Sequence, residues 1–179
     1  NKAKNANFQR YAEAFSFLQS KNLYTVDDLD NALHAMQDKI DTLKKSASSK
    51  QARIKEVDEL LRMVDYYKSG KPAADKLKFI RFEKSRQKYK AEHNNELRTF
   101  YMAERKLKPY FKDGKLPITA WRREQEQLEQ EYRDIQTELS PLHADVKKLW
   151  AIHYNIYEVQ HEQKRQNAAT RQKKQEIEH

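Results

Sequence analysis

Apolar side chains recur along two stretches of the chain in steps that alternate between four and three residues. The first is Leu29, Leu33, Met36, Ile40, Leu43, Ala47, Lys50, Ile54, Val57, Leu61 and Val64, with Lys50 its polar member. The second is Trp121, Gln125, Leu128, Tyr132, Ile135, Leu139, Leu142, Val146, Leu149, His153 and Ile156, with Gln125 and His153 its polar members. This spacing puts each set on one narrow stripe of an α-helix, the a/d seam of a heptad repeat. Each seam covers about 36 residues, roughly 50 Å of helix at 1.5 Å per residue. Such a stripe is too narrow for a broad globular core and calls for another helix. Two seams of equal length suggest that they pair with each other, antiparallel. A homodimer through either seam is the alternative.

Helix ends are signalled between and around the seams. Thr25 precedes Val26-Asp27-Asp28, an N-cap followed by acids that suit the positive end of a helix. Ser69-Gly70-Lys71-Pro72 reads as the stop of the first long helix, and Asp113-Gly114-Lys115-Leu116-Pro117 as the turn before the second. Pro141 lies inside the second seam, where it predicts a kink or a division into two helices end to end. Between the two turns, Leu77, Ile80, Tyr89, His93, Leu97, Phe100, Ala103 and Leu107 recur at helical spacings, with Pro109 expected to loosen the last turn. The pattern predicts helices over about 6–21, 25–68, 72–82, 84–111 and 117–162, forming a single helical domain over 1–163, followed by a polar basic tail over 164–179. The expected fold is all-α: an elongated helical domain with a long antiparallel coiled-coil hairpin and a shorter basic helical insert.

Composition narrows the class further. Of 179 residues, 37% are apolar and 35% charged, a balance that favours long helices packed in pairs over a compact globule. The 19 aromatics argue against a disordered chain. Two glycines and four prolines are too few for an all-β or Rossmann-type domain. Without cysteine there is no disulfide and no thiolate zinc site, which fits a cytoplasmic, reducing setting. No apolar run approaches the ~20 residues needed to cross a bilayer, and no membrane partner is expected. The chain begins at Asn1 rather than Met, so it reads as a fragment of something longer.

The net charge of +9 is unevenly placed. Residues 71–112 carry 13 basic against 5 acidic side chains, whereas residues 113–163 carry 6 against 10. Lys76, Lys78, Arg81, Lys84, Arg86, Lys88 and Lys90 fall within 15 residues, interleaved with Phe79, Phe82 and Tyr89. Such a run could neutralise several phosphates of a nucleic acid, helped by Lys164 and Arg165 in the tail. It could equally be a solvated helix face beside the acidic 113–163 helix. Arg81, Lys84 and Lys88 are neighbours on one face, while Arg86 and Lys90 lie on the other side, so the run wraps around its helix.

Catalytic chemistry has no visible basis. The histidines form neither an HxH nor an HExxH pattern, and there is no Gly-rich phosphate loop and no GxSxG. No catalytic residue, metal ligand or cofactor is expected, and the chain itself is not expected to be an enzyme.

One stretch is more specific than the heptads. Tyr89-Lys90-Ala91-Glu92-His93-Asn94-Asn95-Glu96-Leu97 is followed by Phe100, Ala103, Arg105 and Leu107, then by Gly114-Lys115-Leu116-Pro117. Together with Leu18 to Leu29 upstream, it resembles the helical region that follows the nuclease domain in relaxases (mobilisation nucleases) of conjugative elements from Gram-positive bacteria. The resemblance covers most of residues 10–140. It implies an accessory, non-catalytic domain of a bacterial cytoplasmic protein that nicks a transfer origin. Its implied partners are origin DNA and relaxosome or coupling proteins. The histidine-rich metal site and tyrosine nucleophile of that family have no counterpart assignable here. Pro141 and Asn94-Asn95 depart from the family pattern. A coiled-coil interaction or dimerisation module without nucleic-acid contact is the rival reading.

Overall fold

The computed structural model describes the backbone of residues 2–177 and the side chains of residues 9–170. The fold is all-α: among the described residues there is no strand, only an isolated bridge between Lys112 and Lys115. The helices are α1 (Lys2–Ser20), α2 (Val26–Phe79), α3 (Glu83–Glu92), α4 (Asn94–Leu107) and α5 (Ile118–Ile177), with a 3₁₀ turn over Lys108–Tyr110. The chain divides into two compact units, Asn1–Lys45 with Gln136–His179, and Ser46–Ile135.

Local chemistry accounts for most of the helix ends. α1 stops in a Schellman motif: Leu23 N–H donates to Leu18 O (3.0 Å) and Asn22 N–H to Gln19 O (3.0 Å). Asn22 takes the left-handed conformation this requires, at φ 55°. α2 begins where Thr25 predicts, with a reciprocal cap. Asp28 N–H donates to Thr25 Oγ1 (3.1 Å), and Thr25 N–H returns a bond to Asp28 Oδ2 (2.9 Å). The turn before α5 is also where it was expected: Asp113 and Gly114 both have positive φ, and Lys112 and Lys115 exchange two backbone bonds of 2.9 Å. Pro109 sits in the 3₁₀ turn that follows α4.

All 22 seam positions are buried or half-buried, and the two long helices run antiparallel within each unit. In the first unit, Asp30 pairs with His153 (3.0 Å) and Lys39 with Glu138, while Lys21 of the α1–α2 turn pairs with Asp145. In the second, Lys50 pairs with Glu131, Arg53 holds Glu124 through two bonds of 2.7 and 3.2 Å, and Gln125 donates to Asp58. The three polar members of the seams, Lys50, Gln125 and His153, thus each meet a polar partner from the opposite helix.

The stop expected at Ser69–Pro72 is absent. α2 continues through Gly70 and Pro72 to Phe79, taking in most of the separate helix expected over 72–82. The reason is a second stripe on α2: Leu60, Met63, Tyr67, Gly70, Ala74 and Leu77, again in alternating steps of three and four, all buried or half-buried. α4 lies against it so closely at Gly70 that an added Cβ would stand 2.6 Å from Phe100 Cβ and 2.8 Å from Glu96 O. Gly70 is therefore a glycine of close helix approach and not a cap. An interior proline costs about 3 kcal/mol, which the burial of Ala73, Ala74 and Leu77 beyond it helps to offset.

Two apolar clusters form along this stripe. Val57, Leu60, Met63, Val64, Ala103, Leu107 and Trp121 make one; Ala73, Ala74, Leu77, Tyr89, Leu97 and Phe100 make the other. Tyr67 packs against both, stacked on Phe100 (5.1 Å) and edge-on to Phe111 (5.7 Å).

Two further boundaries differ from expectation. The helix expected over 84–111 is divided at His93, where φ −111° and ψ 25° leave helical geometry and separate α3 from α4. α5 does not end near 162 but crosses Pro141 as one element and continues to Ile177. Its last turns are rich in Gln, Lys, Arg, Ala and Glu, all strong helix formers. The final two residues of the tail lie outside the described backbone.

Hydrogen bonds hold three half-buried carboxylates below their ordinary range: Glu131 bonded to Lys50, Glu59 to Lys106, and Asp28 to Thr25. A depressed folded-state value stabilises the fold above the unfolded pKa, about 4 for such groups, and the gain disappears as pH falls through the folded value. The thermal midpoint is therefore expected to stay level from pH 7 to about 5 and to fall below about pH 4. A midpoint that did not fall below about pH 4 would show that these pairs do not stabilise the fold.

Candidate nucleic-acid interface

The basic run becomes a corner in the Ser46–Ile135 unit. Lys76 and Lys78 lie in the last turn of α2, Arg81 in the connection, and Lys84, Arg86, Lys88 and Lys90 on α3. The inward face of α3 is set by its one buried residue, Tyr89, whose ring lies 4.2 Å from that of His93. Lys76 reaches across from α2 and places its ammonium 5.4 Å above the Tyr89 ring, so a cation–π contact joins the two sides of the corner.

The seven cations are not equivalent. Arg86, three residues before Tyr89, is half-buried, and its Nε is enclosed without a hydrogen-bond partner. Its packing withdraws it from the exposed set. Lys78 is bonded to Asp75 at 3.0 Å, which raises its pKa. Lys88 faces Glu92 at 3.9 Å, a loose pair with both side chains mostly in solvent. Arg81, Lys84 and Lys90 are exposed and have no acidic partner among the described residues. Lys164 and Arg165 are exposed residues of α5 in the other unit. Arg165 shares a depression with Glu158 and Glu162.

The interleaved aromatics separate in the same way. Tyr89 turns inward, whereas Phe79 and Phe82 are 83% and 78% exposed, and neither is paired with another ring among the described residues. Sequence spacing named both rings without indicating which way they face. Phe82 is also the N-cap of α3, with φ −83° and ψ 128°, and makes no side-chain cap. Arg81 and Lys84 lie either side of it in sequence.

The remaining polar chemistry is dispersed. Among the described residues no three His, Asp or Glu side chains gather as a metal site, and no helix is long and apolar enough to cross a membrane. His93 is bonded to Glu96 (3.0 Å) and His153 to Asp30. In the first unit, Tyr11, Ala14, Ile152, Ile156 and Val159 help to line a hollow of about 370 Å³ between α1 and α5. Trp150, Tyr154 and Tyr157 are exposed on α5. No protein family, curated protein or solved structure matches the chain.

Proposed function

We propose that this chain is a nucleic-acid-binding accessory domain, in which the corner between α2 and α3 engages the phosphate backbone. The observation that carries this reading is the set of exposed cations Arg81, Lys84, Lys88 and Lys90, only one of which is paired with an acid among the described residues. Lys84, Lys88 and Lys90 stand on a helix anchored by buried Tyr89, with Arg81 in the connection before it, so the ordering of the backbone that carries them has already been met by folding. The resemblance to the post-nuclease region of relaxases makes transfer-origin DNA the natural ligand, with the chain serving a DNA-nicking parent and its relaxosome partners. Contacts of this kind position a backbone and read no bases.

Four phosphate contacts imply that affinity falls about 50- to 150-fold between about 50 and 200 mM salt. Fluorescence anisotropy with a labelled DNA hairpin at the two salt concentrations measures this. Reversal of Arg81, Lys84, Lys88 and Lys90 to Glu is expected to abolish binding. Arg86 is left in place because its side chain is packed. Unchanged affinity in the reversed variant would sink the reading.

A second reading, a protein-contact module, draws on the exposed Trp150, Tyr154 and Tyr157 of the first unit. The heptad seams are covered within the chain itself, so a dimer would have to use a face of this kind. Light scattering across a hundredfold concentration range separates the two: a constant monomer mass opposes self-association, and a mass that doubles favours it.

A further inference from the structure

We infer that Phe79 and Phe82 form a stacking platform for unpaired nucleobases, so that the corner prefers single strands and loops to continuous duplex. This rests on the phosphate-binding reading of the same corner and adds to it a reason for discrimination.

Two observations set these residues apart from ordinary surface side chains. Both rings are almost fully in water, in a protein whose other phenylalanines include the buried Phe100. Phe82 also occupies an N-cap, a position that favours Ser, Thr, Asp or Asn because their oxygens bond the free N–H groups of the first turn. Phenylalanine offers none of this, so position 82 contradicts both the burial preference and the capping preference at once. Breaches of local rules concentrate where a sequence serves binding.

The surroundings indicate what covers the rings. Arg81 lies between them in sequence, and Lys78 and Lys84 flank the pair. Glu83 is the one acid between residues 76 and 90, and it accepts a bond from Gln87. An apolar ring set among cations suits a ligand that is flat and apolar on its faces and anionic along its backbone. A nucleic-acid strand with its bases unstacked has that character, and every base offers a face whatever its sequence. In an intact duplex the faces are covered by neighbouring base pairs and must be prised apart first.

The test uses the chain with three labelled probes: a thymidine 20-mer, a hairpin with a ten-nucleotide loop, and a blunt 20-base-pair duplex. Phe82→Asn is expected to move two readouts in opposite directions. Its thermal midpoint rises by about 2–4 °C through the new cap, while its affinity for the 20-mer and the hairpin falls about 10-fold. Phe79→Ala with Phe82→Ala loses about 100-fold on the single strand and less than about 3-fold on the duplex. Trp at both positions restores single-strand binding, whereas Leu at both does not, which separates stacking from mere greasiness. If the Phe variants bind all three probes as the parent does, while the charge-reversed variant binds none, the platform is refuted and the phosphate reading stands. An equal loss on duplex and single strand also refutes it, because the rings then act without regard to base pairing. If the unaltered chain binds no probe, both readings fall.

Discussion

Trp121→Ala is expected to destabilise the Ser46–Ile135 unit by about 3–5 kcal/mol, a large part of the 5–15 kcal/mol typical of a whole domain. The ring is 6% exposed and closes the cluster formed by Val57, Leu60, Val64 and Leu107, with Tyr110 edge-on at 5.4 Å. It sits where α5 begins, immediately after the Gly114 turn, so the cavity opens at a point where α2, α4 and α5 meet. Trp150→Ala provides the contrast, because that ring is 55% exposed and its removal is expected to stay within about 0.5 kcal/mol. Urea unfolding followed by circular dichroism measures both. A loss below about 1 kcal/mol for Trp121→Ala would mean that the three helices do not close around it.

The second large effect lies at Gly70, and here the sign is the diagnostic. In an open mid-helix position, Gly→Ala stabilises by about 1 kcal/mol. At Gly70 the new methyl would meet Phe100 Cβ at 2.6 Å and the backbone oxygen of Glu96 at 2.8 Å. A backbone atom yields only if α4 moves as a whole, so Gly70→Ala is expected to cost about 1–3 kcal/mol net and Gly70→Leu about 3 kcal/mol or more. Urea midpoints for the series Gly, Ala, Leu should fall in that order. A midpoint that rose in the alanine variant would remove α4 from this contact and return Gly70 to the role of a helix stop.

That contrast explains what was legible in the sequence. The two seams could be read because their members are mostly large and apolar, so periodicity survives three polar interruptions. The second stripe of α2 has the same regular spacing, but Gly70 and Ala74 lie at its centre. Small residues carry little hydrophobic weight, and Gly beside Pro reads as punctuation. The signal was present in the run Tyr67, Gly70, Ala74, Leu77: small residues at helical spacing mark where another helix comes close. The break at His93 carries only the weaker signal of Asn94-Asn95, since neither Gly nor Pro stands near it. At the corner, the cations were legible as a run. Their sorting was not, because it depends on Tyr89 turning inward, which leaves Arg86 half-buried and Lys84 and Lys88 in solvent. The exposure of Phe79 and Phe82 could not be read from spacing for the same reason.

The polar members of the seams have a consequence for how the chain reaches its fold. A heptad seam is nearly self-similar under a shift of seven residues, so two long antiparallel helices can zip together in several alignments that bury comparable apolar area. Each wrong alignment would be a place to stall. Among the polar members it is His153 opposite Asp30 that reduces this degeneracy, because a shift by one heptad still leaves Lys50 facing Glu124 or Glu138 and Gln125 facing Gln51 or Asp65. The same shift takes His153 from its acid and sets it against Leu23 or Gln37, a cost that falls on the wrong alignments and spares the right one. The histidine that interrupts the second seam thus acts against kinetic traps, giving a repetitive sequence a preferred place to stop.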